Sequence, residues 1–263
     1  MHIADSLLSP AIGLTMCAVS VAAIAYSIKK NSCEKKVPMM GVMGAFIFAV
    51  QMVNVAIPAT GSSGHITGGI LLAAIIGAFP ALLSMSSVLI IQCLFFADGG
   101  LLALGCNIFN LGIVPCLIVY PLIFKPFVKE NMTSGRITAA SVFAAVIGLQ
   151  LGAFCVVLET HFSNVAELPF STFVALMQPI HLAIGFAEGV VTAAILCFVY
   201  KMRPEVMECV LDGKTVKNGV YRKVMVTFAV IALFIGGVLA QFASSNPDGL
   251  EWAIERTAGD NEK

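Results

Sequence analysis

The residues of this chain best suited to chemistry are its four histidines: His2, His65, His161 and His181. Imidazole is the commonest metal-binding side chain and suits Ni²⁺, Co²⁺, Cu²⁺ and Zn²⁺. His2 follows the N-terminal residue directly, so a metal there could take three nitrogens in fused rings. These are the terminal amine of Met1, the deprotonated amide of position 2 and the imidazole, a set that favours square-planar Ni²⁺ or Cu²⁺. That His2 is merely an exposed terminal residue stays open.

A second histidine could supply the fourth nitrogen of such a site. His65 lies in the glycine-rich stretch TGSSGHITGG, where glycine lets the backbone approach a ligand closely. An uncharged loop of this kind can also fold back into the protein at membrane depth. The alternative for His65 is a buried histidine that satisfies nearby backbone groups.

Further polar residues could support the site or simply pack around it. His181 and Glu188 share one helical face at spacing i, i+7 inside an apolar segment, where an ionisable residue is a functional hypothesis by default. An interhelical hydrogen bond that fixes packing is the other interpretation of this pair. Two more residues with the same open role are Asn54 and Ser63. Four acidic residues on the same side could gather cations electrostatically, although solvated loop charges are the favoured interpretation: Asp5, Asp98, Glu159 and Glu167.

The composition predicts that membrane helices position these residues. Of 263 residues, 59% are apolar and only 11% are charged, whereas soluble domains have roughly 45–50% and about 25%. Seven apolar runs are visible, and the third, near 67–96, is too long for one span, with Pro80 at its middle. A chain break at Pro80 gives an all-α protein with about eight membrane segments. The formal net charge of zero gives no indication of a nucleic acid partner.

The distribution of basic residues orients these segments. Loops rich in Lys and Arg, near 29–36, 125–136 and 201–223, stay cytoplasmic. Strict alternation then places both termini and all four histidines toward the outside. The chain accordingly divides into a membrane domain at 1–200, a cytoplasmic basic linker at 201–223 and a final helix with an external segment at 224–263. Because the first basic residues follow the first apolar run, we expect no signal peptide cleavage, so Met1 and His2 remain.

Several stretches resemble one known family of membrane proteins. MHIADSLLSP, QMVNVAIPATGSSGHITGG, FFADGGLLALGCNIFNLG and PIHLAIGFAEGVVTAA look like the CbiM/NikM family, the substrate-binding components of energy-coupling-factor cobalt and nickel importers. The tail SSNPDGLEWAIERT is similar to the PDGLE segment of their small accessory subunit, here fused. The commonest family start is MHIPDG, whereas this chain has Ala4 and Ser6, which leaves the path of the first turn open.

The resemblance implies a function, a site and partners. It implies a multi-pass protein of the prokaryotic cell membrane, the inner one where there are two, that captures Ni²⁺ or Co²⁺ in a square-planar nitrogen site. The ligands would come from Met1, His2 and His65. It also implies a membrane scaffold subunit and two ATPase subunits. The chain itself has no GxxxxGK[ST] phosphate loop and is not expected to be an enzyme.

Two other functions compete with this interpretation. A stand-alone ion-coupled metal transporter would need no ATPase partner. An intramembrane serine protease of rhomboid type would use Ser63, within Gly61-Ser62-Ser63-Gly64, as nucleophile and His181 as base. The protease leaves Met1-His2 and the PDGLE segment unexplained.

Overall fold

The computed structural model describes residues 2–30, 37–58, 60–166, 168–213 and 220–261, and it is an all-α helical bundle. The predicted fold class, an all-α polytopic membrane protein, is confirmed. The helices, in chain order, are α1 Pro10–Lys30, α2 Val37–Gln51, α3 Gly69–Ile76, α4 Ala78–Phe96, α5 Leu104–Lys129, α6 Ser134–Ser163, α7 Phe170–Met202, α8 Pro204–Leu211, α9 Val220–Gly237 and α10 Gly249–Asn261. Two short strands, β1 Val55–Ala56 and β2 Ser63–Gly64, form an antiparallel pair between α2 and α3.

Within the described ranges, 6 helices are long and apolar enough to cross a membrane. They are α1, α4, α5, α6, α7 and the last span, Tyr221–Phe242, which contains most of α9. The remaining candidates are shorter, since α2 has 15 residues and α3 has 8. The count of eight segments therefore stays a prediction, whereas the multi-pass character is confirmed.

The chain break in the third apolar run lies at Gly77 and not at Pro80. Gly77 adopts φ 94°, a backbone conformation that side chains other than hydrogen disfavour, and it separates α3 from α4. Pro80 instead occupies the first turn of α4, where its missing N–H costs nothing. The break is thus set by glycine's conformational freedom, and proline is tolerated beside it.

Helix α3 is short and follows an extended loop that enters the bundle. Its 8 residues extend only about 12 Å. The residues just before it, Thr67 and Gly68, bond to Glu188 near the middle of α7, while α3 itself contacts α8, which follows α7 on its far side. The uncharged loop therefore descends from the His65 end of the bundle to mid-depth, as its composition predicts.

The most extensive helix–helix contact in the described residues is that between α6 and α7. A Cβ atom at Gly189 would stand 2.5 Å from the Cα of Val142, so only glycine permits this approach. Helix α9 packs on α2 through Phe46 and Phe228, whose ring centroids are 4.9 Å apart. Helix α10 packs on α7. The division at 201–223 stays a prediction, and residues 214–219 lie outside the described ranges.

Candidate metal centre

The N-terminal arm, residues 2–5, is fixed to the start of α5. Asn107 donates from Nδ2 to the Ile3 carbonyl at 3.1 Å and accepts from the Ile3 N–H at 2.8 Å. Asp5 accepts from the Ala103 N–H at 2.9 Å. Ile3 is fully buried. The arm is therefore held by hydrogen bonds between backbone groups and side chains, which places His2 over this end of the bundle.

The His65 loop, residues 60–68, is held from below by a buried carboxylate. Glu188 is 1% exposed and accepts from the Thr67 N–H at 2.8 Å, the Gly68 N–H at 3.0 Å and the Thr67 hydroxyl at 2.8 Å. The Gln51 amide donates to the Thr67 carbonyl at 2.7 Å. Of the two interpretations of Glu188, this geometry supports the bond that fixes packing: the carboxylate anchors the chain two residues after His65.

The structure brings the imidazoles of His2 and His65 together. Their ring centroids are 5.4 Å apart and the ring planes differ by 18°. Burial lowers the pKa of each ring from the ordinary 6.5 to about 3. Both imidazoles are consequently neutral at neutral pH, the form in which histidine binds metals.

Each ring uses one nitrogen for a protein contact and leaves the other bare. Nδ1 of His2 lies 3.3 Å from the Asp98 carboxylate, and Nδ1 of His65 lies 3.2 Å from Oδ1 of Asn54. Both partners are acceptors, so each Nδ1 carries the proton. The two Nε2 atoms are buried and have no hydrogen-bond partner in the described part of the chain. Metal-binding imidazoles commonly show this arrangement, a fixed N–H on one side and a lone pair on the other.

The C-terminal segment docks on the same loop. The Ser63 N–H donates to the Pro247 carbonyl at 2.8 Å, and the Ser63 hydroxyl donates to the Asn246 carbonyl at 2.8 Å. Trp252 Nε1 donates to the Thr60 carbonyl at 2.9 Å. The segment thus extends the β1–β2 pair and lies beside His65, at the end of the bundle that the charge distribution predicts to be outside.

The start of α10 has a capping box. Asp248 accepts from the N–H groups of Leu250 and Glu251 at 2.8 and 2.9 Å, and the Glu251 carboxylate accepts from the Asp248 N–H at 3.1 Å. The Asp248 carboxylate also acts electrostatically on the rings of His2 and His65. The capped turn therefore brings a fixed negative charge toward the two imidazoles.

Several predicted residues have a different setting from the one expected. Asp98 and Asp5 are not free loop charges, because they contact His2 and Ala103 as described above. Glu159 is 7% exposed and accepts from Asn110 Nδ2 at 2.7 Å. Met1 and Glu167 lie outside the described residues. Sequence reasoning missed Asn107, although a polar residue in an apolar helix of the GCNIFN stretch was a usable signal.

The remaining candidates do not join the pair of imidazoles in one cluster. His161 is exposed and contacts the rings of Phe162 and Phe170. In the ranges that the structure describes, no three His, Cys, Asp or Glu side chains are grouped to hold a metal. A site at His2 and His65 therefore requires backbone or terminal nitrogens. The serine protease finds no support here, because the Ser63 hydroxyl bonds to the tail and His181 bonds to Met177.

Comparisons with known proteins identify the family of the chain. The family model described as cobalt uptake substrate-specific transmembrane region matches residues 2–206, and the PDGLE domain model matches residues 222–263. A putative fused nickel transport protein NikMN of Archaeoglobus fulgidus is 34% identical over 208 residues, covering 79% of this chain and 68% of that protein. A probable fused nickel transport protein LarMN of Lactiplantibacillus plantarum is 30% identical, covering 78% and 66%.

A solved structure has the same fold. It is described as the crystal structure of a truncated transition metal transporter, and it superposes with a TM-score of 0.67 at 28% identity, covering 77% of this chain and 99% of that one. The multi-pass membrane location and the prokaryotic relatives agree with the predicted localisation. The chain belongs to the CbiM family of cobalt uptake substrate-specific transmembrane proteins and carries a C-terminal PDGLE domain.

Proposed function

We propose that this chain is the substrate-binding subunit of an ATP-driven, energy-coupling-factor type importer for Ni²⁺ or Co²⁺. The observation that carries the proposal is the close pair of neutral imidazoles at His2 and His65, where the buried Nε2 atom of His65 has no hydrogen-bond partner in the described residues. Lone pairs without a hydrogen-bond partner are costly unless a ligand uses them. Relatives named as nickel and cobalt transport proteins make those two ions the natural cargo.

The ligands would be the terminal amine of Met1, the amide and imidazole of His2, and the His65 imidazole. Four nitrogens in one plane suit Ni²⁺, and loss of the amide proton needs a strongly polarising ion. A chelate ring between the amide and imidazole of one histidine closes through Nδ1, and in His2 this atom faces Asp98. Loading therefore requires the His2 ring to exchange Asp98 for the metal.

Metal binding by the full chain tests this site. Removing one chelating nitrogen should raise Kd at least a hundredfold, since about 1.4 kcal/mol already means tenfold. We expect that loss for an N-terminal extension by one residue and for His65→Ala. His161→Ala, which removes an exposed imidazole that contacts Phe162 and Phe170, is the matched control and should keep Kd within about threefold. Unchanged tight binding by both site variants would refute the proposal.

The scaffold and two ATPase subunits are part of the same proposal. The chain has no phosphate loop, so the energy of concentrative import would have to come from partners. In proteoliposomes, we expect ATP-dependent uptake only when all partners are present, while the chain alone binds metal without accumulating it. Accumulation by the chain alone, driven by an ion gradient, would instead identify the stand-alone transporter.

A further inference from the structure

A long apolar groove runs between α7 and α9, with α2 behind it. Helix α9 packs on α2 and has at most a marginal contact with α7 in the described residues. The space left between them has a volume of about 880 Å³, and its lining is almost entirely apolar. Glu188 borders the groove but directs its carboxylate to Thr67 and Gly68. A cavity of this size is typical of sites that hold an apolar ligand.

The groove follows one face of each helix along most of the span. On α7 it extends from Ala183 to Phe198, which is about 22 Å at about 1.5 Å per residue. Between these ends, Ala187 and Ala194 lie on the same exposed face and are small, which leaves the groove open at the surface of the chain. In a membrane protein, that surface is in contact with lipid.

The dimensions favour a lipid chain over a transmembrane helix as the occupant. A helix about 10 Å across would occupy roughly 1,700 Å³ over this length, about twice the volume of the groove. An extended hydrocarbon chain advances about 1.2 Å per bond, so a chain of about 18 carbons reaches roughly 20 Å. One acyl chain therefore matches the groove in length and is thin enough to enter it.

Two lysines flank the end of the groove that is predicted to be cytoplasmic. Lys201 follows Phe198 by three positions on α7, and Lys223 precedes Thr227 by four positions on α9. Each lysine is therefore on the groove face, one turn beyond the last lining residue of its helix. Both are exposed, and no carboxylate of the described residues is within ion-pair distance of either. Two unpaired ammonium groups at the membrane surface are complementary to a phosphate headgroup.

We propose that this groove binds an anionic phospholipid of the cytoplasmic leaflet, with an acyl chain between α7 and α9 and its phosphate at Lys201 and Lys223. The chain fills the contact that the two helices do not make with each other. The lipid thereby holds the last span, Tyr221–Phe242, against the rest of the bundle. This inference is independent of the proposed function, because it involves neither the metal nor the ATPase partners.

Native mass spectrometry of the full chain in detergent tests the groove. After incubation with palmitoyl-oleoyl phosphatidylglycerol, we expect one lipid to remain bound per chain. Ala187→Phe with Ala194→Phe fills the groove from α7 and should lower this retention at least tenfold. Ala18→Phe with Ala25→Phe is the matched control, because these two exposed alanines of α1 have the same spacing of seven. The control should retain the lipid like the wild type.

A second pair of variants tests the headgroup contacts and leaves the apolar groove intact. Each lysine near the membrane surface contributes enough attraction that Lys201→Gln with Lys223→Gln should weaken phosphatidylglycerol binding about tenfold. Lys29→Gln with Lys30→Gln, at the same end of α1, is the control and should have no effect. Phosphatidylglycerol should also raise the melting temperature of the wild type by several degrees, and that of the groove and lysine variants by less.

Three outcomes would overturn the inference. The first is wild-type lipid retention in both the phenylalanine and the lysine variants. The second is equal retention of phosphatidylcholine and phosphatidylglycerol by the wild type, since the two lysines would then select no headgroup. The third is the absence of retained lipid together with cross-linking of a photoreactive residue at position 194 to a partner subunit, which would assign the groove to a partner helix. If the phenylalanine variant does not fold, the exposed lysine pair decides.

Discussion

The N-terminal arm and the His65 loop bring one imidazole each to the candidate metal centre, but they are anchored differently. The arm is held at the end of the bundle by the neutral amide of Asn107, through two bonds to Ile3. The loop is held at mid-depth by the carboxylate of Glu188, which accepts from three donors. Charge-assisted hydrogen bonds are roughly twice as strong as neutral ones. We therefore expect His65 to be the more firmly held half of the proposed site and His2 to be the half that moves during loading.

The N-terminal arm and the His65 loop should differ most in the pH dependence of metal binding, and this is the largest effect that we expect. Both imidazole pKa values are lowered to about 3, so protons do not compete for these rings between pH 5 and 6.5. Protons then compete with the metal only for two nitrogens of the arm, the terminal amine and the amide. The ordinary pKa of the amine is about 7.7–8.0. We expect Ni²⁺ affinity to fall about a hundredfold per pH unit in this range, which corresponds to about two protons.

Isothermal titration at several pH values counts these protons directly. A release of about four protons per metal near pH 5 would mean that the imidazoles titrate normally and that the site is not buried. The folded chain should also lose stability as pH falls from 6.5 toward 3, because the unfolded histidines then bind protons that the folded ones do not. His2→Ala with His65→Ala should flatten that loss.

Removing the anchor of the loop should have the next largest effect. In Glu188→Ala, the N–H groups of Thr67 and Gly68 stay buried without an acceptor, at about 1–3 kcal/mol each. We expect metal affinity to fall about a hundredfold and the melting temperature to drop. Thr192→Val is the matched control, one turn further along α7, because its buried hydroxyl has no partner in the described residues. Wild-type affinity in Glu188→Ala would show that the loop holds His65 in position without this carboxylate.

Removing the anchor of the arm should have the smallest effect of the three. Asn107→Ala eliminates both bonds to Ile3, at about 0.5–1.5 kcal/mol each, so we expect roughly a tenfold increase in Kd through faster metal release. Stopped-flow chelation of the bound metal measures that rate. Asn110→Ala, on the same helix but bonded to Glu159, should leave the rate unchanged. An effect of Asn107→Ala larger than that of Glu188→Ala would reverse the assignment of fixed and moving halves.

Much of this arrangement can be predicted from the sequence, for identifiable physical reasons. Composition alone predicts the helical membrane fold, and the asymmetry of Lys and Arg places His2 and His65 toward one face. The capping box at Asp248 is local, so its spacing suffices to predict it. The contact between Ile3 and Asn107 joins residues 104 positions apart, and no local pattern encodes it. Asp98 was misread for the same reason, because its partner, His2, is brought to it only by the fold.

The chain break shows a second limit of local reasoning. Proline is the stronger helix breaker, so the sequence favours Pro80 as the turn. Three residues earlier, however, Gly77 can adopt φ 94°, which no other residue type accepts as readily. Proline in the first turn of α4 then fits without cost. Whether the helix breaks at Gly77 or at Pro80 depends on how α3 packs against its neighbours. A local sequence pattern does not encode that packing.

X-ray absorption of the Ni²⁺-loaded full chain tests the central claim most directly, because it reports the donor atoms and their geometry around the metal. We expect four nitrogen neighbours, the pre-edge feature of square-planar Ni²⁺ and imidazole scattering from two rings. In His65→Ala, the imidazole scattering should fall to that of one ring. A six-coordinate spectrum dominated by oxygen, or one that His65→Ala leaves unchanged, would contradict it.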